Sequence, residues 1–392
     1  MKKKNLCLAL CVFMLMTVLF SGCSNPASST TSTSPASEVV KVGFMGPLTG
    51  DSSVYGESSL NAVNMYFEKV NKNGGLLGKQ VQIVSYDTKG DSTEAVNVVK
   101  RLTGQDKVIG IIGPNGSGQA IPISSVLEEM KIPDISEIAT NPKVTVLDGK
   151  VKPFNFRACF IDPYQGSVAA GFAVDVLKSK KAAILYDIGD DYSTGLTQFF
   201  EETYKAKGGE IVAKEAWKTG EVDFRAQLTK IKATQPDVIF MPYLFKEVSL
   251  SARQARELGI TATFLGSDTW PSEQLLTMGG DAIENSYFVN HLDMEDPSVK
   301  SFVDEYKAKF GKAPEITGFL ATDASAMLED AVKRANSFDG VKIKDALETT
   351  NISGITGNIK IGKDTHNPEG KEAAIIKITG GKFVFQQKYT PQ

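Results

Sequence analysis

Gly113-Pro114-Asn115-Gly116-Ser117-Gly118 is the stretch of this chain best suited to chemistry, with three glycines and a hydroxyl between an apolar strand and a helix. Such a turn offers backbone N–H groups and a side-chain O–H to an anion. A nucleotide phosphate would need more. The next residues are Gln119 and Ala120, where a phosphate loop requires a lysine for the terminal phosphates and a Ser or Thr for magnesium. That argues against nucleotide binding. Two readings remain: a single carboxylate received without a metal, or a plain turn.

Other reactive residues are few. The two histidines, His291 and His366, lie far apart without patterned partners, and there is no CxxC, HExxH or GxSxG. Asp187, Asp190 and Asp191 fall together but lack the spacing of a calcium loop, so they read as loop and helix-cap carboxylates. Cys159 has no evident histidine base and reads as a small packed residue rather than a nucleophile. We expect no enzyme activity, no metal and no cofactor.

Charge and cysteines are unevenly placed in the 392-residue chain. Lys2, Lys3 and Lys4 account for three of the 43 basic residues, so the rest carries 40 against 46 acidic ones, or −6. A body that acidic, without a Lys/Arg run, is a poor partner for nucleic acid. Cys7, Cys11 and Cys23 lie in the first 23 residues and Cys159 stands alone afterwards, so an internal disulfide is not expected in the body. Lys2–Lys4 and the apolar run Leu6–Phe20 have the form of a signal peptide, too short to span a membrane. Phe20-Ser21-Gly22-Cys23 resembles the bacterial lipobox, which implies lipidation of Cys23 as the new N-terminus, with Phe20 where leucine is usual. Residues 24–37 are a Ser/Thr/Pro-rich tether. The body is therefore expected outside the cytoplasm, held to the membrane by lipid.

The elements that position the glycine-rich turn alternate regularly. Val40, Val42 and Phe44 predict a strand ending at Gly46-Pro47-Leu48-Thr49-Gly50. Leu60, Val63, Phe67 and Val70 predict a helix stopped by Asn73-Gly74-Gly75. Val81–Tyr86 is the next strand, Asp91 and Glu94 form a capping box, and Val108–Ile112 is an apolar strand buried on both faces. The pattern restarts with strands at Ala182–Tyr186, Ile211–Ala216, Val238–Met241 and Phe264–Gly266. Such alternation predicts an α/β architecture of doubly wound parallel sheets in two lobes, with a cleft at the strand ends.

Gly113–Gly118 followed by Ala139-Thr140-Asn141-Pro142-Lys143-Val144-Thr145 resembles the leucine/isoleucine/valine-binding protein family, the solute receptors of branched-chain amino acid ABC importers. Gly46-Pro47-Leu48-Thr49-Gly50, Asn73-Gly74-Gly75 and Arg253–Gly259 match it too. The resemblance runs from about Val39 to Phe310. It implies the type I periplasmic binding protein fold, two doubly wound lobes joined by a hinge. We place lobe I at 38–158 plus about 291–370 and lobe II at 159–290 plus about 371–392, after a signal peptide at 1–22 and a linker at 23–37.

The resemblance also implies a site. Ser117, with Ile138 and Thr140 of the next strand-end loop, would take the ligand's carboxylate and part of its ammonium. Asp268 would neutralise the ammonium, and Tyr55 and Tyr192 would pack on the ligand. Each also has a structural alternative: Ser117 and Thr140 as turn caps, the tyrosines as core residues, Asp268 as the cap of a helix near Pro271. Many relatives carry Gly-Tyr-Tyr where this chain reads Tyr243-Leu244-Phe245, so the usual tyrosine falls on Leu244, with Tyr243 one position away. The expected protein is a monomeric receptor that hands an amino acid to a permease. The alternatives are an amide, urea-like or aromatic acid receptor of the same fold, or a sensory protein.

Overall fold

The computed structural model describes residues 39–391. The signal peptide, Cys23 and the tether lie outside the described residues.

Two sheets organise the chain. The first runs, edge to edge, through Gln80–Asp87, Val39–Gly46, Ile111–Ile112, Asp134–Ser136 and Asn155–Arg157, every neighbour parallel. Its neighbouring residues Ile111 and Ile112 enter different apolar clusters, one with Met45, Val99 and Leu127, the other with Phe44, Phe67 and Leu328. A strand that feeds two cores must be apolar throughout, and this one is. It is shorter than the expected Val108–Ile112, although Ile109 N–H still reaches the Lys41 carbonyl at 2.9 Å.

The second sheet runs Lys382–Lys388, Ala374–Thr379, Tyr287–Asn290, Thr263–Gly266, Val238–Phe240, Lys181–Asp187 and Glu210–Trp217. It repeats the two-faced pattern: Ala183, Leu185 and Ile239 pack on one side, Ala182, Ile184 and Phe240 on the other. The last two strands of the chain depart from the parallel expectation and pair antiparallel. Gly380 and Gly381, both at positive φ, close a two-residue hairpin between Thr379 and Lys382.

Local signals hold where they were strongest. The helix Ser53–Lys72 ends at Asn73, with Gly74 and Gly75 at φ +98° and +77°. Asp91 caps Ser92–Arg101 by accepting from Glu94 N–H at 2.8 Å. The chain passes from the first sheet to the second after Arg157, leaves it after Asn290 for helices such as Ile316–Ala335 that pack on the first sheet's core, and returns to the second sheet at Ala374. The carboxyl ends of both sets of strands therefore lead into loops that meet around one cleft. This is the type I periplasmic binding protein fold, with two α/β lobes.

Candidate functional site

The cleft encloses a cavity of about 700 Å³. Its first-sheet wall is built from strand-end loops carrying Pro47, Asn115, Ser117 and Ile138; Asp187, Tyr192, Trp217, Tyr243, Leu244 and Thr269 form the other wall. Of the six residues expected to bind ligand, Tyr55, Ser117, Ile138 and Tyr192 line this cavity. Thr140 and Asp268 are fully buried behind the wall.

Ser117 stands at the start of a helix of only four residues, Ser117–Ala120. Its Oγ accepts from Asn141 N–H at 3.2 Å, which ties the glycine-rich turn to the next strand-end loop. That second loop is fixed from below by Arg157, itself buried. Its guanidinium donates to the Ala139 carbonyl at 2.6 Å, the Asn141 carbonyl at 2.8 Å and Thr145 Oγ1 at 3.2 Å. Ile138 and Thr140 thus sit on a loop held by one cation. Glu137, next to them, is buried, and that burial pushes its carboxyl up to about 7 against the opposing help of the Ser59 hydroxyl.

Asp268 does not cap the following helix. Ser272 does that, accepting from Gln274 N–H at 3.3 Å ahead of Glu273–Gly279. The Asp268 carboxylate instead gathers three donors. Oδ1 accepts from Tyr192 O–H at 2.6 Å and Gln165 Nε2 at 2.9 Å; Oδ2 meets His291 Nε2 at 2.9 Å. Burial lowers the His291 pKa despite the carboxylate beside it, so the imidazole is neutral at pH 7 and the contact is a hydrogen bond. His291 also stacks on Phe160, with ring centroids 3.7 Å apart.

Tyr55 lies in the first turn of the helix Ser53–Lys72 rather than in a loop. Its hydroxyl crosses the cleft to the Thr269 carbonyl at 2.5 Å, and its ring meets Phe245 edge to face at 5.7 Å. Other contacts bridge the cleft as well: Asn141 Nδ2 donates to the Asp191 carbonyl at 2.7 Å, and Lys246 meets Asp51 at 2.5 Å. The departure at Tyr243-Leu244 resolves physically. Tyr243 is buried, turns its hydroxyl to Ser251 Oγ at 2.9 Å and sets its ring against Trp217. It offers the cavity an apolar face, as does Leu244.

The remaining reactive groups have structural partners. Asp190 caps Asp191–Ala206 by accepting from Tyr192 and Ser193 N–H, and Asp187 accepts from Gly189 N–H at 2.8 Å and Thr219 O–H at 2.6 Å. Cys159 is a buried thiol whose pKa is pushed up to about 12 by that burial. His366 stacks on Phe156 at 4.1 Å. Among the described residues, no cluster of His, Cys, Asp and Glu could hold a metal ion, and no helix is long and apolar enough to cross a membrane. Sequence reasoning missed Gln165 and His291 as partners of Asp268, and it missed the buried Asp162 on the helix of Gln165. Asp162 and Gln165 stand one turn apart at the start of the helix Asp162–Asp175, an i, i+3 pair of buried polar residues.

Residues 39–382 match the family of periplasmic binding proteins. A Leu/Ile/Val-binding protein of Rhizobium johnstonii is 31% identical over 88% of this chain and 93% of its own length. The crystal structure of a leucine-binding protein from Thermotoga maritima superposes with a TM-score of 0.83 at 33% identity, covering 90% of this chain and 99% of that one. The substrate-binding protein of a branched-chain amino acid transporter from Streptococcus pneumoniae, solved with isoleucine, gives 0.82 at 29% identity, covering 90% and 99%. These relatives are binding proteins, not enzymes. The chain belongs to the periplasmic binding protein family, among the leucine/isoleucine/valine-binding proteins.

Proposed function

We propose that this chain is the extracytoplasmic binding lipoprotein of an ABC importer, capturing an amino acid of the branched-chain type in the cleft and delivering it to a membrane permease. The observation that supports this reading is that Ser117, Ile138 and Tyr192 line one cleft, with Thr140 and Asp268 buried behind its wall. Hydroxyl and N–H groups around Ser117, Ile138 and Thr140 suit a carboxylate, and the buried carboxylate of Asp268 suits an ammonium. The apolar faces of Tyr243, Leu244 and Trp217 suit an aliphatic side chain. The names of the relatives and the isoleucine bound to one of them support the same class.

Residues 38–158 with about 291–370, and 159–290 with about 371–392, would move as two bodies about the three crossing segments. The contacts of Tyr55 with Thr269 and of Lys246 with Asp51 would hold the closed arrangement. The chain acts as a monomer without a cofactor. A buried carboxylate beside the cleft disfavours aromatic acids and other ligands that bring no cation.

A panel of amino acids in thermal denaturation tests the reading. Leucine at about 100 times its Kd should raise the unfolding free energy by about 2.7 kcal/mol, seen as a higher Tm. A Tm indifferent to every amino acid rejects it. Anchoring is tested separately. Cys23→Ser should move the protein from the membrane fraction to the soluble one, and continued sedimentation with membranes rejects the lipid anchor.

A further inference from the structure

The three segments that carry the chain between the lobes each change core within a few residues. On the first, Cys159 packs with Ile316 and Leu320 of the first lobe, while Phe160 enters the second lobe's cluster with Val168 and Ala373. On the second, Val289 belongs to that second-lobe cluster, and Leu292 packs against the Cys159, Ile316 and Leu320 group. On the third, Pro368–Glu369 pairs with Gly357–Ile361 of the first lobe, and Ala373 packs in the second. Lys371 lies between them.

Lys371 is buried and turned to the first lobe. Its Nζ donates to Thr356 Oγ1 at 2.6 Å and stands 3.8 Å from Asp323 Oδ2. Asp323, buried as well, accepts from Ile355 N–H at 2.6 Å, Thr356 N–H at 3.1 Å and the Thr356 hydroxyl. Room for that carboxylate is kept by Gly354, where a Cβ would stand 2.4 Å from Asp323 Oδ1. The charge of the ammonium also reaches Cys159 and His291, on the other two segments. One residue later, Glu372 pairs with Lys388 of the second lobe at 2.5 Å. The chain thus leaves one lobe at Lys371 and has joined the other by Ala373.

Ile316, Leu320 and Asp323 stand at i, i+4 and i+7 of the helix Ile316–Ala335, on one face. All three segments rest on that face. Cys159 and Leu292 do so by apolar contact, which has no direction and lets a segment slide. A buried ion pair adds little stability, because desolvation offsets the attraction, but its hydrogen bonds fix a position. We propose that Lys371, tied to Asp323, is a positioning residue for ligand capture. It seats the third segment on the helix face that holds the other two, so that the lobes close about one axis. This rests on the capture reading above and specifies where the third segment turns. Released from Asp323, that segment lets the empty lobes sample orientations from which they cannot close. The apparent Kd then rises as the competent fraction falls.

Lys371→Met tests this, by leucine titration and small-angle X-ray scattering of the purified protein. Methionine keeps the apolar stem and Asp323 keeps its three donors, so the variant should fold. The empty variant should scatter as a broader distribution, with a larger maximum dimension than the empty wild type. Saturating leucine should bring both to the same curve, and leucine affinity should fall about tenfold. A purely structural role would lower Tm alone. Leucine affinity within about twofold of the wild type, the spread of a silent substitution, therefore overturns the proposal. Scattering of the empty variant that superposes on that of the empty wild type overturns it as well. If Lys371→Met fails to fold, Thr356→Val, which removes the 2.6 Å partner and keeps both charges, is read by the same criteria. A wild type that binds no amino acid rejects the ligand reading, and scattering of the empty proteins then decides the role of Lys371 alone.

Discussion

Asp268→Asn is expected to lose about 100-fold in leucine affinity while melting close to the wild type. The substitution keeps shape and exchanges one carboxylate oxygen for an amide. Oδ1 can remain where Tyr192 and Gln165 donate to it. The amide nitrogen then faces His291 Nε2, where the carboxylate accepted a hydrogen bond. Because burial keeps that imidazole neutral, it can move its proton to Nδ1 and accept from the new amide. The network survives with the His291 bond alone reversed, and only the charge is gone. A bound ammonium would then be buried with one anion fewer. Removing one partner of a buried charge pair costs about 3 kcal/mol, or roughly 100-fold in Kd. Titration calorimetry reads the affinity, and thermal denaturation reads the fold. Unchanged leucine affinity would remove Asp268 from the site. Tighter binding of aromatic acids by the variant would point to a ligand without an ammonium.

How far this site can be read from the sequence depends on the range of each interaction. The strand-end loops were legible because their signals are local: Asp91 and Glu94 three residues apart, Gly74 and Gly75 ending a helix, apolar runs such as Ile111-Ile112. Ser117, Thr140 and Asp268 were named as ligand-binding residues only through the resemblance to the leucine/isoleucine/valine-binding proteins, not from local signals. The groups that hold Asp268 in place were not legible. Gln165 is 103 positions away in the chain and His291 is 23, and no periodicity links side chains on separate strands and helices. The orientation of Tyr243 was equally hidden, because Ser251, one helix face away, decides where its hydroxyl points. The hairpin at Gly380-Gly381 is a different case. Ile376 and Ile378 alternate before it, Phe383 and Phe385 after it, and two glycines between such runs signal an antiparallel turn. Expecting parallel strands throughout obscured a cue that was present.

Arg157→Met should lower stability by about 3 kcal/mol and weaken leucine binding together, the opposite dissociation of effects from Asp268→Asn. Methionine fills much of the space left by the arginine stem, so the loss comes from polar groups rather than from a cavity. The Asn141 carbonyl keeps a second donor, Val144 N–H at 3.1 Å. The Ala139 carbonyl, which accepts from Arg157 at 2.6 Å, keeps only a distant contact at 3.7 Å from the Cys159 thiol. A buried carbonyl left without a donor costs about 1–3 kcal/mol. Asp162 loses at the same time a cation that favours its ionised form. Lysine would not repair the site, since one ammonium cannot span two carbonyls and a hydroxyl as the planar guanidinium does. Urea denaturation should show a lower midpoint at an unchanged slope. Leucine affinity should fall at least tenfold, because the loop carrying Ile138 and Thr140 is no longer held at a fixed distance from Ser117. If Arg157→Met keeps wild-type stability to within about 0.5 kcal/mol, the size expected of a surface substitution, the guanidinium does not hold that loop and its placement comes from its other contacts, Ala139 N–H to Ser136, Asn141 to Ser117 and Asp191, and the Thr140 carbonyl to Asp162 N–H.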